Sequence, residues 1–571
     1  ALVKNGTAAT TLEQANSYSG GTIVNQGTLR IGSGGLTGDI GSGAVSIASG
    51  ATLEFNRSNA AAGVPDFDYK TNAKLRNVSG AGDIVLTGGG ILFNYTGTGT
   101  SFADANSWVG FSGNLTIKGG SEFRTIRNGA TAMGTGNVIL GDATTSGILS
   151  FIEGNWTVTN NLQLVGSANH ILNRSVTAPR SQKLQGIISG SGAVSFEDPA
   201  VTMTDINRGF ILTGSNTLDG TLTIAAGVPL RVGGIPGNVD ASNPGILAGL
   251  GGTLGAATVV NNGTLTFSRT DAHAVSNDIS GSGALRVGIP AAATLGDTTT
   301  QILTYSGTAS HTGTSTVNNG TLILGTGSSI GGSAITVEST ATLTGTGTAA
   351  APLTSAGTIA PGTGIGILSV SGNTILTGTL AIEVDGTSGD KLSVTGDLTL
   401  TGSTLTVSES GTGFTSRVIA ECTGTLTGTP TAPEGYTVSI TGSQLILSKA
   451  SGNTYAAWAT LNAGGGNANE DFDGDGTSNG VEYFMGQTGS TFTPNPAVVT
   501  TGGVSTVTWP RDPDADADFK VQVSTTLAAA GWTDIVPPNA SIDESDPNEV
   551  VFTFPAGDPI KFCRLAVTVA P

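Results

Sequence analysis

The stretch Asn16–Gly35, which reads NSYSGGTIVNQGTLRIGSGG, decides the fold because much of the chain consists of variants of it. A second copy of its core, GTSTVNNGTLILG, occupies residues 313–325, and a third, VNNGTL, occupies residues 260–265. Such self-similarity is typical of a repeat architecture. Each copy predicts a short strand, a tight turn in which Asn and Gly supply the positive φ, and a second short strand rich in β-formers. One unit is too small to bury its own apolar face, so we expect the copies to stack on one another.

A second recurring motif, Gly-x-Gly, lies between short segments of alternating apolar and polar residues. It occurs at residues 40–47, 78–86, 188–196 and 279–287. These glycines do not precede a predicted helix, so they indicate corners between strands and not a phosphate-binding loop. Helical periodicity is absent from residue 1 to about 450, which favours an all-β solenoid. With roughly 20–25 residues per coil, about 18–22 coils would give a rod on the order of 90–100 Å long.

The pattern in Asn16–Gly35 resembles the autotransporter-associated β-strand repeat of large secreted bacterial surface proteins. The copies at 16–35 and 311–325 carry the resemblance most closely. Residues 357–368 and the following segment 380–407, LAIEVDGTSGDKLSVTGDLTLTGSTLTV, are similar to the end of such passengers. The resemblance covers roughly residues 1–450 and implies a right-handed parallel β-helix. In that family the repeat is a scaffold, and it brings no catalytic residues to this sequence.

Composition restricts the possible partners and compartments. The net charge is −18, and 23 Lys and Arg residues in 571 cannot provide the basic face that nucleic acid requires. Charged residues make up only 11%, and this low charge density with an acidic bias fits an extracellular or cell-surface protein. No run of 18 or more apolar residues predicts a membrane-spanning helix. Cys422 and Cys563 show no metal-binding spacing, and the sequence leaves open whether they form a disulfide or remain two free thiols.

Near residue 450 the composition and pattern of the sequence change, and we predict three domains. Residues 1–450 form the parallel β-helix, 451–487 a linker made of a helix, a calcium loop and a second helix, and 488–571 a small C-terminal β-sandwich. The first helix is predicted over Tyr455–Leu461, and alternating apolar and polar residues predict strands at 505–509, 519–524, 550–554 and 562–569. The pattern DxDGDGxxNxxEY, together with VQVSTTLAAAGWTDI and FCRLAVTV, is similar to C-terminal regions of secreted proteins from Verrucomicrobia-like bacteria.

Residues 471–482 fit the calcium-loop pattern D-x-[DN]-x-[DN]-G-x5-E in full. Ca²⁺ prefers six to eight oxygen ligands, and three carboxylates this close would repel one another without a cation. The alternative is a solvated acidic linker. We expect a structural role for the ion, fixing the junction between the solenoid and the sandwich. The predicted ligands occupy loop positions 1, 3, 5, 7 (through the backbone carbonyl), 9 (often through water) and 12: Asp471, Asp473, Asp475, Thr477, Asn479 and Glu482.

Other candidate sites are weaker. Asp512, Asp514, Asp516 and Asp518 alternate along the chain and could bind a second cation, but no Glu closes such a loop and a solvated turn is favoured. Asp66 and Asp68 could be the paired carboxylates of a glycosidase, yet the sequence does not fix their separation, and a surface loop is favoured. The three histidines, His170, His273 and His311, are far apart in sequence and are interpreted as turn or surface residues.

We interpret the chain as a non-enzymatic structural protein outside the cell. A parallel β-helix exposes unpaired backbone groups at its ends, and such edges pair with other strands unless they are capped. The first residues, Ala1–Lys4, run directly into a repeat without a visible cap. We therefore hypothesise head-to-tail self-assembly into a homo-oligomeric filament or surface layer.

Two alternatives to self-assembly remain open. The chain could be an adhesin-like passenger that holds cell-surface glycans or a neighbouring cell. It could also be a polysaccharide lyase or hydrolase, since long β-helices host that chemistry, although fold analogy alone supports this. An enzyme of that kind needs Asp, Arg or Lys clustered on successive coils, and no such cluster is recognisable in the sequence.

Overall fold

The computed structural model describes residues 1–58, 75, 77–94, 108–125, 132–152, 154–174, 180–199, 209–234, 251–289, 301–411, 414–449, 454–528, 531–555, 557 and 562–569. The chain forms two compact units. The first consists of residues 1–433 and 438–447, and the second of residues 434–437 and 448–571.

The first unit is a parallel β-helix, as the sequence predicted. Successive strands enter different sheets, and the chain returns to each sheet one coil later, so neighbours within a sheet are not consecutive in sequence. The pairings between coils are parallel, as in Leu2–Lys4 with Thr22–Val24 and Ile302–Tyr305 with Gly320–Leu324. This topology joins the coils through backbone hydrogen bonds and leaves the side chains to alternate between the interior and the outside.

Five sheets make up this unit, and we number them in the order in which the chain enters them. Sheet 1 contains Leu2–Lys4, Thr22–Val24, Val45–Ile47 and Val78–Gly80. Sheet 2 contains Thr10–Leu12, Thr28–Ile31, Thr52–Asn56, Asp83–Thr87, Leu115–Ile117, Val138–Leu140, Leu162–Leu164, Ile188–Gly190 and Thr217–Leu218. Sheet 3 begins with Ile91–Asn94, Ser121–Thr125, Gly147–Phe151, Asn169–Asn173, Val194–Glu197, Thr221–Ile224, Thr258–Asn261 and Ile279–Ser280. It continues with Thr308–Ala309, Ser329–Ile330, Thr348–Ala349, Ile367–Ser371, Lys391–Thr395, Ser416–Cys422, Gln444–Lys449 and Tyr436–Thr441.

Sheets 4 and 5 complete the later coils. Sheet 4 contains Trp156–Val158, Ser181–Leu184, Gly209–Leu212, Pro229–Val232, Thr264–Phe267, Ala284–Val287, Ser315–Val317, Ile335–Val337, Leu353–Ser355, Thr374–Leu376, Leu398–Thr399 and Leu426–Thr427. Sheet 5 contains Ala272–Val275, Ile302–Tyr305, Gly320–Leu324, Ala341–Gly345, Thr358–Pro361, Thr379–Asp385 and Thr404–Ser410.

The register of sheet 5 shows how the core is built. Partners on neighbouring coils stack aliphatic side chains in one inward column, which is almost completely buried and consists of Leu303, Leu322, Leu343, Ile359, Leu380 and Leu405. Consecutive members of this column are 16 to 25 residues apart in sequence. The residues before them form an outward column that is threonine on five successive coils: Thr321, Thr342, Thr358, Thr379 and Thr404. The coils are therefore held together by main-chain pairing and by a core of stacked small aliphatic residues.

The repeat has the predicted strand, turn and strand. The sequence predicted that Asn and Gly both supply the positive φ of the turn, but in the structure the two residues have different roles. In the first copy the chain turns between Thr22–Val24 and Thr28–Ile31 at Gly27, whose φ is +66°. A Cβ at Gly27 would lie 2.4 Å from the carbonyl oxygen of Thr7, so only glycine fits there. In the later copy Gly320 again has positive φ, while the side chain of Asn319 donates to the Ile289 carbonyl of the preceding coil at 3.0 Å. The glycine therefore makes the turn, and the asparagine side chain ties neighbouring coils.

The second unit combines two helices with two antiparallel sheets. Helix Tyr455–Asn462 begins after Thr454, whose hydroxyl accepts from the Ala457 N–H, and helix Asn479–Phe484 follows the acidic loop. One sheet contains Val499–Thr501, Val504–Pro510, Glu549–Thr553 and Ile542–Asp543. The other contains Thr533–Ile535, Ala517–Ser524 and Phe562–Val569.

The two antiparallel sheets enclose a common core and form a β-sandwich. Trp509 and Phe552 from one sheet lie in the same buried cluster as Val521 and Leu565 from the other. Phe484, at the end of the second helix, belongs to this cluster too. Both helices and the loop between them lie in the compact unit that contains the sandwich.

Candidate metal centre

The two helices of the second unit hold the acidic loop between them. Their contact is an aromatic cluster in which Tyr455 and Trp458 pack around the buried ring of Tyr483, with ring centroids 5.6 and 5.7 Å from it. The Tyr455 hydroxyl donates to the Gly466 carbonyl at 2.7 Å, and the Trp458 indole donates to the Gln487 carbonyl at 3.0 Å. These contacts tie the residues before and after the loop to the first helix.

The three aspartates of the loop point their carboxylates at one place. One oxygen of each of Asp471, Asp473 and Asp475 lies within 4.8 Å of those of the other two. Backbone N–H groups help to hold them, since Gly474 and Gly476 donate to Asp471 at 2.8 Å. Asp471 and Asp473 are exposed, whereas Asp475 is half-buried.

Glu482 faces these aspartates from the first turn of the second helix and is fully buried. Its Oε1 accepts a hydrogen bond from the Thr493 hydroxyl at 3.0 Å, while its Oε2 is buried without a hydrogen-bond partner. Burial raises the pKa of Glu482 to about 7; the Thr493 hydrogen bond opposes this rise, and the charges of Asp475, Asp473 and Asp471 add to it. A carboxylate in this position lacks a positive partner among the described residues.

The remaining predicted ligands, Thr477 and Asn479, are buried within the loop. The Asn479 side chain accepts from the Phe472 N–H and donates to the Asn467 carbonyl, both at 3.0 Å, so it clamps the loop to the chain before it. The Thr477 hydroxyl donates to the Thr493 carbonyl at 3.1 Å, which leaves the Thr477 carbonyl as the atom that the loop pattern assigns to a metal.

The donor set fits a hard divalent cation. Ca²⁺–oxygen distances of about 2.3–2.6 Å put ligands on opposite sides of the ion roughly 4.6–5.2 Å apart. Aspartate oxygens within 4.8 Å of one another can therefore share a single ion. The residues that could hold it are Asp471, Asp473, Asp475, the Thr477 carbonyl and the unsatisfied oxygen of Glu482. All of them are hard oxygen donors, as calcium and magnesium require.

The carboxylates of the second acidic stretch, Asp512, Asp514, Asp516 and Asp518, do not form a metal-sized group. Asp512 accepts from the Asp514 N–H at 3.0 Å, and the Asp516 N–H donates to the Tyr483 hydroxyl at 2.7 Å. Within the described residues the only metal-sized group of acidic, histidine or cysteine side chains is the one in the calcium loop. The candidates Asp66 and Asp68 lie outside the described residues.

The structure corrects the interpretation of two histidines and settles the state of the cysteines. His311 lies in the connection between two strands but is buried, with its Nε2 2.9 Å from the Ser315 hydroxyl, so it is not a surface residue. His273 is half-buried within a strand, so it is not a turn residue. His170 also lies in a strand, with its Nδ1 2.6 Å from Glu197. Both cysteines are free thiols.

Sequence reasoning missed a charged cluster on the outside of sheet 3. Glu122 is nearly buried and accepts from Arg124 at 2.7 Å, from Arg174 at 2.8 Å and from the Ser150 hydroxyl. Burial raises the pKa of Glu122, but the hydrogen bonds from Arg124 and Ser150 and the two positive charges outweigh it, so the pKa is lowered. Glu122 is therefore held as an ion-paired carboxylate and is a poor proton donor. The cluster could have been found only from the register that places Arg124 beside Ser150.

The first unit resembles known proteins in its repeats. The model of the passenger-associated-transport-repeat family matches residues 2–31 and 210–228. The adhesin BmaC autotransporter of Brucella suis biovar 1 (strain 1330) is 30% identical over 247 residues, which covers 39% of this chain and 6% of that adhesin. This chain thus corresponds to only a small part of the length of that relative. The described part of the first unit is thus a parallel β-helix that carries repeats of the autotransporter-associated type.

The crystal structure of the Haemophilus influenzae Hap adhesin aligns with 78% of this chain and 64% of its own chain, at 13% identity and a TM-score of 0.25, a likeness too low to carry an argument. Among the described residues, the helices are too short or too polar to span a bilayer.

Proposed function

We propose that this chain is an adhesin-like surface passenger that acts by binding glycans or neighbouring cells and not by catalysis. The observation that carries the proposal is the repeated β-helix, whose sequence is similar to part of the BmaC adhesin. Such solenoids present long, regular side-chain arrays, and these are suited to binding extended or repetitive partners.

The outward threonine column of sheet 5 is the part of this surface that we assign to binding. It extends over five coils from Thr321 to Thr404 and is uncharged. The hydroxyls of Thr379 and Thr404 lie 3.1 Å apart, so the last two coils present adjacent hydroxyl groups. Hydroxyl donors and acceptors at a regular spacing can hydrogen-bond to the hydroxyl groups of a glycan.

Binding of the labelled full chain to cells and to immobilised glycans tests this proposal. We expect saturable binding that unlabelled chain displaces. The double variant Thr342→Glu with Thr358→Glu places two charges in the threonine column and should weaken binding at least about tenfold, equivalent to about 1.4 kcal/mol. The control variant, Thr316→Glu with Thr336→Glu, carries the same charges on the outward face of sheet 4 and should bind as the native chain does. Binding that unlabelled chain fails to displace would contradict the proposal.

Head-to-tail self-assembly is a second candidate. The end of a parallel β-helix exposes unpaired backbone groups that can accept a further strand. Light scattering of concentrated chain tests the candidate: assembly predicts a mass that rises with concentration, whereas a constant monomer mass would contradict it.

A further inference from the structure

We propose that the loop from Asp471 to Glu482 binds one Ca²⁺ ion, and that Thr493 couples this binding to the chain entering the β-sandwich. The proposal goes beyond adhesion and stands whether or not the β-helix binds cells. Acidic loops are common on protein surfaces and do not by themselves make a site. The additional observation here is Glu482, a fully buried carboxylate with one oxygen unsatisfied, which is linked to Asp475 because Thr493 donates hydrogen bonds to both.

The unsatisfied oxygen of Glu482 needs a positive partner. An isolated buried carboxylate costs several kcal/mol, and proteins pair such groups with a cation or a metal. The Asp471, Asp473 and Asp475 carboxylates beside it increase that cost when no metal is bound. A divalent cation bound by these four carboxylates would neutralise their charges together. Such a cation would explain why Glu482 is buried, since burial of an unpaired carboxylate opposes folding.

Thr493 lies outside the loop pattern, yet it contacts three loop positions. Its N–H donates to Asp475, its hydroxyl donates to Glu482 at 3.0 Å, and its carbonyl accepts from the Thr477 hydroxyl at 3.1 Å. Thr493 is itself buried. It is therefore a positioning residue: it orients Glu482 and Asp475 toward the ion and ties the segment 486–498, which precedes the first strand of the sandwich, to the metal site.

Calcium is a better fit than magnesium. Mg²⁺ demands octahedral geometry at 2.0–2.1 Å, which limits opposite ligands to roughly 4.2 Å, and it retains several waters. Three aspartates, a backbone carbonyl and the unsatisfied oxygen of Glu482 supply five oxygens, and water can complete the six or more that Ca²⁺ prefers. We therefore expect Ca²⁺ to bind much more tightly than Mg²⁺.

Calorimetric titration of the metal-free full chain with CaCl₂ or MgCl₂ tests the site. We expect one Ca²⁺ per chain and at least about tenfold weaker binding of Mg²⁺. Asp473→Asn changes an exposed side chain, so the variant should fold, and we expect it to weaken Ca²⁺ binding at least about tenfold. Asp514→Asn, in the neighbouring exposed acidic stretch, is the matched control and should bind as the native chain does. No binding heat in the native chain, or equal binding by native and Asp473→Asn chains, would overturn the proposal.

Hydrogen–deuterium exchange tests the role of Thr493. In the native chain, Ca²⁺ should slow exchange in both the loop 471–482 and the segment 486–498. Thr493→Val removes the hydroxyl and should weaken Ca²⁺ binding about tenfold and uncouple the segment from the ion, whereas Thr493→Ser keeps the hydroxyl and should restore both. Two results would show that Thr493 has only a structural role. One is an exchange rate in segment 486–498 that Ca²⁺ does not change in the native chain, and the other is equal Ca²⁺ binding and equal segment exchange in the Thr493→Val and Thr493→Ser variants.

Discussion

His273 occupies a position in sheet 5 that the following coils fill with aliphatic side chains. Its register partner is Leu303, and the same inward column continues through Leu322 and Leu343. Both ring nitrogens of His273 are buried without a hydrogen-bond partner among the described residues. Burial, and next the positive charge of Arg269, lower the pKa of His273 to about 4, against smaller opposing effects of Asp271.

This histidine should make the β-helix sensitive to acid. In the unfolded chain the imidazole binds a proton below its ordinary pKa of 6.5, whereas in the folded chain it does so only near 4. The unfolded state therefore binds more protons in this window, and stability is lost as the pH falls from about 6.5 to 4. His273→Leu should remove this loss and stabilise sheet 5 by about 1–3 kcal/mol near pH 4.5.

Denaturant unfolding of the native and His273→Leu chains between pH 7 and 4 measures the effect. Ala274→Leu, at an exposed position of the same strand, is the control and should keep the acid dependence of the native chain. Native and His273→Leu chains whose stabilities fall in parallel over this range would contradict the assignment.

Individual strands are stabilised by the inward columns, and we expect the two faces of one strand to respond very differently to truncation. Leu343 is fully buried, whereas its neighbour Thr342 faces outward. Leu343→Ala should cost about 2–5 kcal/mol because it leaves a cavity in a close-packed core. Thr342→Ala should stay within about 0.5 kcal/mol. Native-state hydrogen exchange of Gly320–Leu324, Ala341–Gly345 and Thr358–Pro361 measures both, and equal effects would argue against the assigned register.

The charged cluster of sheet 3 should contribute more to stability than a more exposed ion pair does. Glu122 joins Arg124 of its own strand to Arg174 beyond the strand Asn169–Asn173, two coils later. Glu122→Gln leaves two arginines without their carboxylate and should destabilise these coils by about 1–3 kcal/mol, a value reduced from that of a fully buried pair because Arg174 is partly exposed. Glu54→Gln, which breaks a more exposed pair with Arg30, should cost at most about 1 kcal/mol. Similar losses of unfolding free energy in the Glu122→Gln and Glu54→Gln variants would contradict the stabilising role assigned to Glu122.

Sequence patterns predicted those features that depend on local spacing. Gly27 and its neighbours form the expected turn, and the helix predicted from Tyr455 extends one residue further, to Asn462. The sandwich strand at 562–569 has the predicted bounds. Features that depend on the register between coils could not be predicted, since the irregular coil length hides which residues become neighbours. Glu122 and its arginines belong to this group, and Thr493 escapes the loop pattern because it lies 11 residues after Glu482.

At the scale of the whole molecule, the chain combines a repeated β-helix with a unit that contains the candidate calcium loop and a β-sandwich. The matched repeats are of the autotransporter-associated type, and the outward faces of the β-helix carry hydroxyl groups on successive coils. The lowered pKa of Glu122 removes that residue as a general acid. Each of these properties fits a molecule that works by presenting a surface.

We propose that the full chain binds a glycan or cell surface without chemically changing it, and one preparation can test both binding and the absence of catalysis. Binding to a panel of neutral and acidic polysaccharides is followed by surface plasmon resonance, while the formation of new reducing ends and of unsaturated products is measured in parallel. We expect saturable binding to at least one surface and no product above a heat-denatured control. Depolymerisation that grows with time and with the concentration of the chain would contradict it.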